Sequence, residues 1–329
     1  MVSHFTSLLS FLFLPGGFMK SQSLFPALTA AAASVALAGG ASAQITLDGV
    51  LDPAEGFGTA AAVQTIGTGF GDNSNELNAA FGFAEDGNLN LFLTGNLEAG
   101  GGNRLYLFLD TGTGTGFSTL PDIDGVQEDI DLLTDTNVIT FDSGFEADTA
   151  IIFNEFFGSF VVNVVDLDDG VFLGGASTDG SLADGAPVVG DPGIAFAFNN
   201  SNTAGVDGAA GVAQDSSDAL TATTGLELSL GLALLGIDTE TDVLGTAFIS
   251  GFAGSDGGAF FSNQFLGGLP VGSENLGNNG ADPLVVDLSG LEGEQFFTVS
   301  VPEAAIPEPA SLALVGLGGL AMLGRRRRA

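Results

Sequence analysis

An all-β chain, folded as a β-sandwich or jelly roll between two apolar terminal segments, is what this sequence predicts. Three observations carry that expectation. Glycine is abundant, 51 among 329 residues, and together with Asn, Asp and Ser it separates short apolar runs, the pattern of strands joined by turns. Several of those runs alternate with a period of two. Helical periodicity is nearly absent, and residues 230–235 are the one candidate for a short helix.

The N-terminal part, residues 1–43, reads as a signal peptide. From Met19 the chain carries Lys20 as a minimal charged region, an apolar region over residues 24–37, and Ala41-Ser42-Ala43 ahead of Gln44. That is an A-x-A cleavage site, with Ala41 and Ala43 as the small residues the peptidase reads. Residues 1–18 form a second apolar stretch ending in Pro15-Gly16-Gly17-Phe18. Met19 is taken as the true start, and a tandem signal is the alternative.

Residues 44–302 are expected to form the acidic sandwich domain. Leu77, Ala79, Phe81 and Phe83 share one face of a strand, as do Leu89, Leu91 and Leu93; Leu226, Leu228 and Leu230 alternate with Glu227 and Ser229. Denser runs at 105–109, 160–165, 194–198 and 247–252 read as strands buried on both faces. Glu85-Asp86-Gly87-Asn88 and Asp168-Asp169-Gly170 are turn signals. Residues 199–224, rich in Gly and Ser, read as a long surface loop, and residues 303–306 as a stalk. Of the aromatic residues 28 are Phe and one is Tyr106, so most rings should fill the core.

Composition excludes whole classes of chemistry for this domain. The only histidine, His4, lies in the leader, and Cys and Trp are absent. Nucleophilic triads and ordinary zinc, copper or haem sites therefore have no ligands. The basic residues are Lys20, Arg104 and the four terminal arginines, so Arg104 is the one base left in the mature region. Such a domain has no phosphate cradle and no nucleic-acid surface, because those require several cations. Of the 40 acidic residues all but Glu308 fall within residues 44–306. That acidity keeps an exported protein soluble, and it also allows divalent cation binding.

Asp122, Asp124, Glu128, Asp129 and Asp131 form the densest acidic cluster, with Gly125 supplying a turn. Hard oxygen ligands on a flexible backbone suit calcium, although the spacing is not that of an EF-hand; solvated loop carboxylates are the alternative. Asp166, Asp168 and Asp169 ahead of Gly170 read as a β-turn, with a cation site as the alternative. Asp110 precedes Thr111-Gly112-Thr113-Gly114-Thr115-Gly116, a glycine run without the lysine and helix of a phosphate loop, which reads as a flexible connection. Arg104 is expected to pair with a nearby carboxylate. No catalytic residue is assigned, and no enzyme activity is expected.

Residues 303–329 form a three-part tail: Pro307-Glu308-Pro309, an apolar run over residues 310–324, then Arg325-Arg326-Arg327-Arg328. As one helix, residues 307–324 would span roughly 27 Å at ~1.5 Å per residue, close to a hydrocarbon core of about 30 Å. The arginines would hold that end in the cytoplasm as a membrane stop. The tail resembles the PEP-CTERM sorting signal of Gram-negative bacteria that make extracellular polysaccharide. The resemblance implies a single hydrophobic sorting helix inserted transiently in the inner membrane. It also implies recognition at Pro307, Glu308 and Pro309 by an exosortase, which cleaves nearby. An ordinary C-terminal membrane anchor is the alternative.

Residues 45–52, Ile-Thr-Leu-Asp-Gly-Val-Leu-Asp, followed by Asn88-Leu89-Asn90-Leu91 and residues 104–110, are similar to the opening of family-nine-like carbohydrate-binding sandwiches. Those modules grip sugars with Trp or Tyr, and here only Tyr106 is present. Residues 139–148 and 260–266 are similar to other exported PEP-CTERM proteins of unassigned function. Together the expectation is an exported, exosortase-processed protein of the cell surface or extracellular matrix. Its role would be structural or adhesive in the polysaccharide layer; a carbohydrate-binding module, calcium-assisted or not, is the alternative.

Overall fold

Two antiparallel sheets stack face to face in the computed structural model, which describes residues 45–68, 74–100, 102–121, 137–178, 185–253, 258–277 and 284–306. All of them lie in the unit Ala43–Ala329. In the first sheet the strands run in the order β1 (Ala62–Val63), β2 (Glu76–Glu85), β3 (Asn88–Asn96), β11 (Gly225–Gly231), β10 (Ile194–Phe198), β9 (Val188–Val189). In the second the order is β13 (Gly258–Leu266), β12 (Thr241–Ala253), β4 (Arg104–Asp110), β6 (Thr149–Phe156), β7 (Ser159–Asp166), β8 (Val171–Ser177). Strand β15 (Phe297–Val301) pairs with the first part of β12, and β5 (Asn137–Thr140) and β14 (Leu284–Asp287) form a separate parallel pair.

Period-two alternation fills the space between the sheets. Leu89, Leu91 and Leu93 of β3 and Leu226, Leu228 and Leu230 of β11 face Leu105, Leu107, Leu109, Phe153 and Phe160 of the second sheet. Phe153 and Phe198 meet edge-on at 4.7 Å and 72°, a favourable aromatic geometry. The outer faces are covered as well. Tyr106, Phe108, Phe248, Phe261 and Phe265 on the second sheet pack with Phe141 and Phe145 from the segment that links β4 to β6. On the first sheet Ala79, Phe81 and Phe92 are covered by Phe57 from the N-terminal segment. Covering both outer faces explains why so many strands are apolar on both sides.

Four sequence expectations change. Leu77 points into the space between the sheets, whereas Ala79 and Phe81 point outward; a bulge between Leu77 and Ala79 inserts Asn78 and reverses the alternation. Residues 230–235 do not form a helix. β11 ends at Gly231 and a single turn follows, closed by Leu235 N donating to Gly231 O and Ile237 N to Leu232 O. The described α-helix, Ser216–Ala219, lies instead within the stretch expected to be loop, with Asp215 capping Ser217 N at 2.9 Å. Residues 303–306 do not stand off as a stalk: Glu303–Ala305 is a 3-10 turn, Ala305 is buried in the main core, and its carbonyl accepts from Gly87 N at 2.8 Å.

Among the described residues most phenylalanines fill cores, but Phe172 is exposed, and so are the adjacent Phe156 and Phe157, the latter at 91 %. Phe156 and Phe157 sit at the β6–β7 hairpin, whose turn residues Phe157 and Gly158 both have positive φ, 51° and 82°. The β2–β3 hairpin has the same turn at Asp86 and Gly87, built from residues that favour it.

Candidate functional site

A cleft of about 750 Å³ opens where the Thr-Gly loop after β4 meets the β7–β8 turn and the turn after β11. Its polar wall includes four aspartates, Asp148, Asp166, Asp168 and Asp169. Asp148 precedes β6 and is 5 % exposed. Its Oδ2 accepts from Thr111 N at 2.9 Å and Thr111 Oγ1 at 2.7 Å, while Oδ1 accepts from Thr149 Oγ1 at 2.9 Å. Burial pushes the Asp148 carboxyl above the ordinary aspartate value; the Thr111 and Thr149 donors oppose that rise and the Asp110 charge adds to it. Asp168 grips the other end of the loop, accepting from Thr115 N at 2.6 Å and Gly116 N at 2.9 Å. Asp166 Oδ1 accepts from Asp168 N and Asp169 N at 2.9 and 3.2 Å, which sets the turn expected there.

The Thr-Gly run is therefore a clamped loop and not a flexible connection. Glycine is required at Gly116, where φ is +65° and a Cβ would stand 2.4 Å from Glu146 O; a Cβ on Gly114 would stand 2.0 Å from Asp168 Oδ2 and displace that carboxylate. The Thr-Gly run and Asp166–Asp169, separate features along the chain, converge on one cleft. Asp148 went unmarked in the sequence because a lone Asp before an apolar run has no local signature. Chemically the cleft offers carboxylate, hydroxyl and main-chain groups, with one aromatic ring, Phe117, among its lining residues. Arg104 is not among those residues; its Nη1 donates to Gly102 O at 3.0 Å.

A second acidic group lies on the outer face of the first sheet. Glu227 alternates with the leucines of β11 and so points away from the main core, yet it is wholly buried. The segment at 45–52 crosses over it, and Glu227 Oε2 accepts from Asp48 N and Gly49 N, both at 3.0 Å. Burial drives its carboxyl up to about 7; the two backbone donors oppose the rise, and the charges of Glu55 and Asp48 add to it. Glu55, also buried, accepts from Thr46 N at 2.9 Å and is raised by burial first, with the Asp48 and Asp52 charges adding. The residues resembling the start of a carbohydrate-binding module thus serve here as a strap over two buried glutamates.

The signal cleavage residues Ala41 and Ala43 and the acidic cluster Asp122, Asp124, Glu128, Asp129 and Asp131 lie outside the described residues. So do Pro307, Glu308 and Pro309, the apolar run at 310–324 and Arg325, Arg326, Arg327 and Arg328. Among the described residues no helix is long and apolar enough to cross a membrane, and no group of three or more acidic side chains is placed to hold a metal ion.

No curated protein and no solved structure matches this chain. The PEP-CTERM protein-sorting motif matches residues 305–328. The chain is an exosortase-sorted exported protein, carried through the inner membrane to the cell surface or extracellular space.

Proposed function

We propose that residues 44–306, once freed of signal peptide and tail, act as a non-enzymatic structural or adhesive protein of the polysaccharide layer. The observation that supports this reading is the sorting motif at 305–328 attached to a domain with no His, no Cys and Arg104 as its one base. Such a domain can present shape, hydroxyls and negative charge, and it has few groups suited to bond-making chemistry. The test is a deletion strain of the producing bacterium, complemented with the wild-type gene. Loss of matrix cohesion or surface adhesion on deletion, restored by the gene, supports the role. Unchanged cohesion, with no binding of the purified protein to the cell's own polysaccharide, overturns it.

A second reading, a carbohydrate-binding module, draws support from the Asp148–Asp168 cleft, whose size and hydrogen-bonding wall suit a few sugar hydroxyls. Glycan-array binding that is lost in Thr113→Val, a variant at the cleft wall, favours this reading. Loss on chelation as well makes the binding calcium-assisted. Array silence across neutral and acidic glycans disposes of it.

A further inference from the structure

Glu227 and Glu55 share a defect that hydrogen bonding within the protein leaves uncorrected. Each spends one carboxylate oxygen on the strap at 46–49, and each has its other oxygen, Glu227 Oε1 and Glu55 Oε2, buried without a donor. Glu227 is 0 % exposed and Glu55 6 %. A buried acceptor without a donor is costly, and a buried unpaired charge more so. The neighbouring acids worsen the balance. Asp48 and Asp52 lie close enough to act on Glu55 through their charge, and Asp48 acts on Glu227 as well. Their own hydrogen bonds serve the strap: Asp48 Oδ1 accepts from Val50 N and Asp52 Oδ1 from Ala54 N, each at 2.8 Å. The mature region has a single basic side chain, Arg104, on the second sheet, so the protein has little cationic charge with which to neutralise this group.

We propose that Glu55 and Glu227, buried beneath the N-terminal strap, form a site for a hard divalent cation of the calcium type. A divalent ion would neutralise both buried carboxylates and engage the two oxygens left over, where a single proton would neutralise one. All-oxygen ligation selects calcium over zinc or copper. Two carboxylates, with main-chain carbonyls and water completing the shell, form a weak site. Its affinity would fall in the range of extracellular calcium modules, on the order of 10⁻⁴–10⁻³ M. The ion would tie residues 45–55 to β11, across more than 170 positions of sequence.

The test uses the full-length chain in detergent, stripped with chelator and then titrated with calcium chloride. Ionic strength is held constant with sodium chloride, because any salt screens so acidic a chain. The expected result is a rise in Tm of roughly 3–5 °C at about 10 mM calcium, absent in both Glu227→Gln and Glu55→Gln. In chelator, Glu227→Gln should melt at or above wild type, since it removes a buried charge and keeps the side chain's shape. No calcium-dependent rise in wild type overturns the site and leaves protonation as the way the charge is met. A rise that survives in either variant overturns it too, assigning calcium elsewhere, such as the cluster at 122–131. Should Glu227→Gln fail to fold, Glu55→Gln alone carries the comparison, with calorimetric loss of one calcium per chain as the second readout.

Discussion

One oxygen of Asp148, Oδ2, accepts both the backbone N–H and the hydroxyl of Thr111, 37 residues earlier in the chain, at 2.9 and 2.7 Å. This double contact holds the start of the Thr-Gly loop against β6 and makes a buried carboxylate tolerable. Thr111→Val keeps the N–H and removes the hydroxyl donor. It should destabilise the protein by about 1–2 kcal/mol, read as a lower urea midpoint with an unchanged slope.

The same carboxyl predicts a pH dependence. Its folded pKa lies above the ordinary aspartate value of 3.8, mainly because of burial. The folded state therefore holds this proton more tightly than the unfolded chain. Asp148 thus weakens the fold above its folded pKa, and that penalty fades as the pH falls toward 3.8. Asp148→Asn should be at least as stable as wild type at neutral pH and should flatten this part of the profile. Urea unfolding of both proteins from pH 4 to 8 checks it; a variant profile that keeps the wild-type slope counts against the assignment.

Gly116 and Gly100 allow a controlled comparison of backbone and packing. Both have positive φ, +65° and +76°, but a Cβ meets Glu146 O at 2.4 Å in the first case and nothing within 4 Å in the second. Gly100→Ala should cost about 1 kcal/mol, the left-handed penalty alone. Gly116→Ala should cost about 2–3 kcal/mol, because a main-chain atom must also move. Equal melting temperatures for the two variants would refute the close approach at Gly116.

Phe157 occupies a turn position that asparagine or glycine favours, while its ring is almost fully exposed and touches Phe156, centroids 4.4 Å apart. Phe157→Asn should raise stability by about 0.5–1 kcal/mol, the turn preference outweighing the lost ring contact. Thermal melting measures it. A lower Tm would mean that the Phe156–Phe157 pair supports the hairpin more than the turn strains it.

For the sorting tail, the intact mass of protein from the cell surface and medium should begin at Gln44 and end near Pro307. Glu308→Ala should leave residues 310–329 attached and hold the protein in the envelope fraction. A wild-type mass that includes the terminal arginines would instead indicate a permanently anchored surface domain.

What the chain declares by itself is local. Period-two leucines at 89–93 and 226–230, and the Asp86-Gly87 turn, identify strands because alternation and turn chemistry act over a few residues. The tail declares itself because motif, apolar run and arginines are contiguous. Composition alone removes thiol, imidazole and polycation chemistry. Tertiary structure decided the rest. Leu77 changed face through one inserted residue, Asn78, which no alternation rule anticipates. The β6–β7 hairpin turns at Phe157, a residue that carries no turn signal. Glu227 looks like the solvent side of an alternating strand, and only the crossing of residues 45–52 buries it. Asp168 and Gly116 meet over 52 positions to close the cleft. Contacts of that span depend on which strands become neighbours, and strand neighbours are set by the packing of whole sheets, not by the residues on either side of a given position.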